Sequence, residues 1–214
     1  LRPHPLAGTA LEVTSGERRI QASGTYAQGL VELQDASSQA VVEALSLADG
    51  QRVLDYCAGG GGKTLAMAAR ARLRIEAHDA DPGRMRDLPV RARRAGVAVT
   101  LVDAPRGLFD LVLTDVPCSG SGSWRRDPEG KWALTPKRLA DLQTIQAAVM
   151  DSAAALVAPG GTLAYATCSL LAEENESQVA GFLSRQKGWS CNDQRRFTPL
   201  SGGDGFFLAR LTRD

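Results

Sequence analysis

The chain has 214 residues, of which 43% are hydrophobic and 23% charged, and its formal net charge is +1. This composition excludes an intrinsically disordered protein, and the balanced charge does not by itself indicate a nucleic-acid partner. No apolar run approaches the roughly 20 residues that a membrane-spanning helix needs, so we expect no contact with a membrane.

Short extended pieces separated by glycines are predicted for residues 1–34, and a helix begins at the capping side chains of Asp35–Ser38. The chain starts at LRPHPLAG without a methionine, which suggests a fragment of a longer protein. From residue 52 onward, strands and helices alternate. The predicted elements are a strand at 52–58, a helix at 63–71, a strand at 73–79, a helical stretch at 81–95 weakened by Pro89, strands at 97–103 and 109–115, a helix at 136–157, a strand at 160–169, a helix at 173–186 and a last strand at 205–213.

This alternation predicts an α/β fold, because right-handed crossovers produce a mostly parallel sheet with helices on both faces. Ligands bind such sheets at the carboxyl ends of the strands. The residues at or near these ends are acids or a thiol, namely Asp55, Asp79, Asp103, Asp115 and Cys168. We therefore expect these five side chains to face a common crevice.

A glycine-rich loop, DYCAGGGGKT at 55–64, joins the first of these strands to a helix. Neither the phosphate-binding pattern G-x-x-x-x-G-K-[ST] nor the dinucleotide pattern G-x-G-x-x-G fits its spacing. A tight glycine turn followed by Asp79 suits an adenosine ligand, with Asp79 accepting from the ribose hydroxyls and Asp103 facing the adenine amino group. A glycine turn without any ligand remains the alternative, although four consecutive glycines are entropically costly.

The four cysteines and two histidines show no metal-ligand spacing, so we expect reduced thiols, a cytoplasmic protein and no metal site. A buried thiol usually serves as a small apolar side chain, and this is our interpretation of Cys57 and Cys191. Cys118 and Cys168 differ, because each lies at a strand end beside exposed backbone. A thiolate formed there would be a nucleophile.

Five motifs resemble those of the Sun-type RNA (cytosine-5)-methyltransferases: LQDASSQ (33–39), DYCAGGGGKT (55–64), DVPCSGSGSWRRDPEGKW (115–132), ATCSLLAEEN (166–175) and GDGFFLARL (203–211). The resemblance implies a Rossmann-like class I methyltransferase fold with a seven-stranded sheet whose last strand is antiparallel. It also implies S-adenosylmethionine as the cofactor. The cofactor-binding residues would be Cys57, Ala58, Gly59, Gly60, Gly61, Gly62, Lys63, Asp79, Asp103 and Asp115. Gly60 departs from the family, since many relatives have proline there.

The resemblance also assigns roles to the two thiols. Cys168 would add to carbon 6 of cytosine, so that carbon 5 can attack the methyl group, and Cys118 would assist release of the product. Asp115 is placed to hydrogen-bond the ring nitrogen or the exocyclic amine, although a strand-end cap is an alternative role.

The RNA partner is expected to contact the segment RRDPEGKW. Its residues Arg125, Arg126, Lys131 and Trp132 would grip phosphates and offer a stacking ring, unless the segment is only a surface loop. Relatives carry N-terminal RNA-binding segments, so residues 1–34 are interpreted as a remnant of such a segment or a linker, and residues 35–214 as the catalytic domain. We expect single-stranded or locally opened RNA as the substrate, because the base must leave any stack.

Several functions compete at this point. A cytosine methyltransferase acting on ribosomal RNA, as a monomer, is the favoured hypothesis, with transfer RNA as the alternative target. A non-catalytic RNA-binding or assembly module would need neither thiol. A methyltransferase for exocyclic amines or protein fits poorly, because Cys118 stands where such sites place an aromatic residue. A dehydrogenase is disfavoured because the dinucleotide pattern fails.

Overall fold

A seven-stranded sheet runs through the centre of the computed structural model, which describes residues 1–214. The strands are β1 (Arg2–Pro3), β2 (Leu11–Glu12), β3 (Arg52–Asp55), β4 (Arg74–Ala77), β5 (Val99–Leu101), β6 (Phe109–Asp115), β7 (Val157–Thr167), β8 (Trp189–Phe197) and β9 (Phe206–Arg213). The helices are α1 (Gly24–Ala27), α2 (Ala36–Glu43), α3 (Gly62–Ala68), α4 (Leu88–Arg94), α5 (Pro128–Ala133), α6 (Pro136–Ala154) and α7 (Glu176–Arg185).

The large sheet has the order β5-β4-β3-β6-β7-β9-β8. The first five strands of this order are parallel, and β9 pairs antiparallel with both β7 and β8. The predicted sheet, with its antiparallel last strand, is therefore confirmed.

Helices cover both faces of the sheet, as predicted. On one face, α6 and α7 contribute Met150 and Phe182 to a cluster that includes Phe109 and Tyr165. On the other face, α2 and α3 pack Val41 and Met67 against the sheet. The central parallel strands are apolar because both of their sides are buried, and only their ends can carry functional side chains.

The structure differs from the prediction in three elements. Strand β8 was not predicted, because its sequence WSCNDQRRF is mostly polar, as suits an edge strand. The predicted helix at 81–95 is a 3₁₀ turn at Pro82–Met85 followed by the shorter helix α4, which has Pro89 in its first turn. Helix α5 covers the second half of the segment RRDPEGKW and Ala133, for which the sequence predicts no regular element.

Residues 1–34 form the two-stranded sheet of β1 and β2, a 3₁₀ helix at Glu17–Ala22, and α1. The segment is attached to the α/β unit at Glu32, whose carboxylate pairs with Arg91 and Arg94 of α4. A cavity of about 1100 Å³ lies between this segment and helices α2 and α3. Neither Cys118 nor Cys168 lines this cavity, which reaches the glycine loop only at Gly62.

None of the helices combines the length and the hydropathy required to cross a membrane.

Candidate active site

The structure brings the two strand-end cysteines into contact. Strands β6 and β7 are paired in register up to Asp115 and Ala166. Each strand then leads into a loop that carries a thiol, and the sulfur atoms of Cys118 and Cys168 are 3.3 Å apart. Two thiols at this distance can share one hydrogen bond, so one sulfur can carry the negative charge while the other donates.

The surroundings of the two sulfurs favour charge on Cys168. The hydrogen bond from Cys118 lowers the pKa of Cys168, although burial and the Asp115 carboxylate act in the opposite direction. The same contact, together with burial, raises the pKa of Cys118. A thiolate would therefore form more readily on Cys168, with Cys118 as the hydrogen-bond donor, than the reverse.

An ion pair lies beside the thiols. Lys63, at the start of α3, is only 8% exposed, and its Nζ donates to Oδ2 of Asp115 over 2.6 Å. The ammonium group also lies 4.7 Å from the centroid of the Phe206 ring. The Lys63 charge contributes to lowering the pKa of Cys168. The pair places a carboxylate and a cation at the point where a base could bind.

The glycine loop forms a tight turn above the end of β3. Gly59 and Gly61 have φ angles of 50° and 80°, in the region that favours glycine. The amide of Gly59 donates to Oδ2 of Asp79 over 2.9 Å, and that of Gly61 to the carbonyl of Ala58 over 2.9 Å. A Cβ at Gly61 would lie 2.2 Å from Cδ1 of Leu88, so the turn also packs closely against α4.

Asp55 is buried below this turn. Its Oδ2 accepts from Thr64 over 2.6 Å, whereas its Oδ1 has no partner. Burial raises the pKa of Asp55 to about 6. Burial also raises the pKa of Cys57 on the same loop, so this thiol stays protonated.

These features fit an adenosine-bearing cofactor. Gly59 and Gly60 leave a surface without side chains, because a Cβ at either position would meet only the ends of Arg84 and Arg91. The unpartnered oxygen of Asp55 lies beneath the same loop. Asp103 is exposed just beyond β5, and it does not join the buried part of the site.

Residues 70–94 contain a cluster of eight arginines, six of which lie within ion-pair distance of an acid in the chain. Arg84 lies 3.4 Å from Asp79, Arg72 pairs with Asp49, and Glu32 holds two arginines of α4. The cluster therefore resembles a solvated helix face more than a phosphate-binding surface.

The segment RRDPEGKW divides into two parts. Arg125 and Arg126 both pair with Asp204, a carboxylate that is only 1% exposed and lies just before β9. Lys131 and Trp132 on α5 project outward, and the Trp132 side chain is 81% exposed. The two arginines thus hold the loop in place, while the lysine and tryptophan are available to a partner.

Three residues of the site were not predicted. Asp204 anchors the arginines, Phe206 underlies Lys63, and the carboxylate of Glu174 contacts both cysteine loops. Asp204 and Phe206 lie in GDGFFLARL and Glu174 in ATCSLLAEEN, so the motifs contained them. Which members of a motif face a site depends on contacts between distant residues, and a single sequence does not give these.

Comparisons with known proteins agree with this architecture. The sequence profile described as 16S rRNA methyltransferase RsmB/F matches residues 42–212. The ribosomal RNA small subunit methyltransferase B of Salmonella arizonae is 33% identical over 99% of this chain and 53% of its own length. The chain thus spans about half the length of such relatives.

Solved structures give the same result. A methyltransferase homologue from Pyrococcus horikoshii is 28% identical, with a TM-score of 0.80 over 91% of this chain and 72% of its own. NSun6 from Pyrococcus horikoshii, solved with SFG, is 25% identical, with a TM-score of 0.81 over 91% of this chain and 56% of its own. These likenesses confirm the class I methyltransferase fold expected from the sequence.

Proposed function

Because the chain belongs to the RsmB/F family of 16S rRNA methyltransferases, we propose that it methylates carbon 5 of a cytosine in ribosomal RNA. One observation carries the choice of carbon 5, namely the 3.3 Å contact between the sulfurs of Cys118 and Cys168. Methylation of an exocyclic amine or a ribose hydroxyl needs no thiol. Carbon 5 of cytosine is a poor nucleophile, and it becomes reactive when a thiolate adds to carbon 6.

S-adenosylmethionine supplies the electrophilic methyl group when bound. The residues that would hold it are those of the glycine loop from Cys57 to Lys63, together with Asp79, Asp103 and Asp115. The turn fixed by Gly59, Gly61 and Asp79 offers a surface without side chains.

Addition begins at Cys168. Its thiolate forms a bond to carbon 6, and the electron pair of the ring double bond becomes available at carbon 5. During this step Asp115 accepts a hydrogen bond from the protonated ring nitrogen or from the exocyclic amine. Lys63 holds Asp115 in position, because its Nζ lies 2.6 Å from Oδ2 of that carboxylate. After methylation, a water molecule takes the proton from carbon 5, the electron pair of that bond restores the ring double bond, and the bond from carbon 6 to sulfur breaks, which restores the thiolate. Cys118 assists this expulsion by donating a hydrogen bond to the departing sulfur.

The test is incubation of the protein with S-adenosylmethionine and protein-free 16S rRNA, followed by mass spectrometry of the nucleosides. We expect 5-methylcytosine from the unchanged protein and none from Cys168→Ala. Cys118→Ala should accumulate a covalent RNA adduct, because release is impaired. Cys191→Ala, which changes a thiol on β8, is the matched control and should behave normally.

The proposal is wrong if another methylated nucleoside forms, or if Cys168→Ala remains active. Methylation of transfer RNA but not ribosomal RNA would keep the chemistry and change the substrate. RNA binding without any methyl transfer would support the alternative of a non-catalytic assembly module.

A further inference from the structure

Glu174 is a fully buried carboxylate that has no cationic partner. It ends the 3₁₀ turn Ala172–Glu174, and no lysine or arginine lies within ion-pair distance of it. Burying a carboxylate without a counter-ion is costly unless hydrogen bonds satisfy its oxygens. The contribution of such a group therefore depends on the hydrogen bonds that it accepts.

Those hydrogen bonds come from both cysteine loops. Oε1 accepts from the amide of Ser119 over 2.8 Å and from Nε2 of Gln146 over 3.0 Å. Oε2 accepts from the hydroxyls of Ser119 and Ser169, each over 2.5 Å. Ser119 directly follows Cys118, and Ser169 directly follows Cys168. One carboxylate oxygen therefore joins the residues that follow the two thiols.

The sheet cannot hold these loops together by itself. The pairing of β6 with β7 ends at Asp115 and Ala166, before either cysteine. Beyond that point the Val116 amide donates to the Ala166 carbonyl and the Gly122 amide to the Cys168 carbonyl. The loops are also joined by the two sulfurs, by the hydroxyls of Ser119 and Ser169 over 3.3 Å and by contacts of the Ser121 hydroxyl, and Glu174 adds the carboxylate that bonds to both loops at once. Glu174 therefore links the two loops beyond the last backbone pairing of β6 with β7.

We propose that Glu174 is a positioning residue, which clamps the Cys118 and Cys168 loops so that their sulfurs stay in contact. Its catalytic meaning rests on the proposed function, whereas the clamp itself is a property of the chain without substrate. A 1 Å displacement of a reacting group can cost about 100-fold in rate, so the clamp would act on turnover more than on binding.

The negative charge of Glu174 adds a second effect. It contributes to raising the pKa of Cys118 and so keeps the proton on that thiol. The other titratable or charged groups facing the thiol pair are Lys63, Asp115, Tyr165 and Arg126. Of the two carboxylates, Asp115 raises the pKa of Cys168, whereas Glu174 raises the pKa of Cys118.

The test uses Glu174→Gln, which keeps the side-chain size but removes the charge and leaves one acceptor oxygen, with two lone pairs, for the four donors. The first measurement is the iodoacetamide labelling rate of Cys168 and Cys118 from pH 6 to 9, resolved by mass spectrometry without RNA or cofactor. We expect the preference for Cys168 over Cys118 to fall roughly tenfold, which corresponds to one pKa unit. Glu173→Gln is the matched control, because this neighbouring glutamate is exposed, and it should leave the preference unchanged.

The second measurement is methyl transfer. We expect Glu174→Gln to lower kcat by about 10- to 100-fold with KM for RNA and for S-adenosylmethionine unchanged. If Glu174→Gln does not fold, as judged by circular dichroism, Ser119→Ala and Ser169→Ala each remove one hydroxyl while leaving the carboxylate in place. Each should reduce the labelling preference in the same direction.

A folded Glu174→Gln protein with an unchanged labelling preference would overturn the proposal, as would serine variants without any effect. Failure of the proposed function gives a different result. In that case Cys168→Ala would leave methyl transfer intact while Glu174→Gln would still alter the labelling.

Discussion

Identical side chains have different chemistry in this protein because their surroundings differ. Cys57 is held protonated by burial, whereas Cys168 accepts a hydrogen bond from Cys118 and lies near the Lys63 ammonium. The sulfur–sulfur contact and the nearby cation both favour the thiolate of Cys168, and neither is among the groups that shift the pKa of Cys57. Removal of one sulfur atom should therefore change the labelling rate of the other thiol, and this rate can be measured without any substrate.

The first prediction concerns Cys118→Ala. Removal of the donor thiol should raise the pKa of Cys168, and each unit of increase lowers its thiolate fraction at pH 7 about tenfold. Iodoacetamide labelling of Cys168, followed by mass spectrometry, should slow accordingly. Cys191→Ala, distant from the pair on β8, should have no effect. Equal or faster labelling in Cys118→Ala would contradict the assignment of Cys118 as donor.

The second prediction concerns Asp55, whose pKa is raised from 3.8 to about 6 by burial. A carboxyl group with a raised pKa in the folded state stabilises the fold fully below pH 3.8, and this contribution is lost as the pH rises through 6. Asn has no such titration. The free energy of unfolding of Asp55→Asn, relative to the unchanged protein, should therefore rise by up to about 3 kcal/mol between pH 4 and 7.

Urea unfolding at pH 4, 5, 6, 7 and 8 measures this difference directly. The relevant observation is the change in the difference with pH, since its absolute value also includes the loss of a buried carboxyl oxygen. A difference that is constant across this range would show that Asp55 does not titrate there.

At the level of elements, the site is built where regular structure ends. The thiols follow β6 and β7, the glycine turn follows β3, and Asp79 follows β4. The glycine turn packs closely against α4, at Gly61 and Leu88.

The third prediction tests this packing by Gly61→Ala. Alanine at a φ of 80° is strained by about 1–2 kcal/mol, and its Cβ would lie 2.2 Å from Leu88, which adds roughly 1–3 kcal/mol. Gly96→Ala is the matched control, because Gly96 has a φ of 69° but open space around its Cβ. Urea unfolding should show the larger loss for Gly61→Ala, and equal losses would mean that α4 moves aside at little cost.

The fourth prediction separates the two halves of RRDPEGKW. Arg126→Ala should lower the free energy of unfolding by roughly 1–3 kcal/mol, because the buried Asp204 loses hydrogen bonds. Lys131→Ala should leave stability unchanged and weaken binding to single-stranded RNA, with the salt dependence reduced by about one phosphate contact.

Urea unfolding and fluorescence anisotropy with a labelled oligonucleotide measure these two effects. Unchanged affinity at every salt concentration for Lys131→Ala would remove α5 from the proposed RNA surface.

The elements were more predictable than their ends and their partners. Strand β6 could be predicted because burial on both faces leaves an apolar run at 109–115. Helix α6 could be predicted because burial of one face leaves apolar residues at spacings of three and four. Strand β8 has no such pattern beyond Trp189 and Cys191, since an edge strand is mostly solvated. Arg125 and Arg126 bind Asp204, which lies nearly 80 residues away along the chain. The local sequence around the arginines does not predict such a contact.

For the whole molecule, the family and the fold agree with expectation, whereas the division of the chain stays a prediction. Residues 1–34 pack on the α/β unit through Glu32 and through Ala7 and Ala10 against Ala40. Their proposed origin as part of an RNA-binding segment or linker, like the monomeric state, still needs a direct test. Sedimentation of the purified chain would give the oligomeric state.

The position of β9 has a consequence for biosynthesis. Strand β9 (Phe206–Arg213) lies between β7 and β8 in the sheet. Strand β8 precedes β9 along the chain, and it has no partner in the sheet until β9 has been synthesised. Phe206 also lies against Lys63, and Asp204 holds Arg126. Because a chain emerges from the ribosome with its N-terminal side first, β7 and β8 are both synthesised before the strand that pairs with them, and this side of the sheet can form only after β9 has emerged.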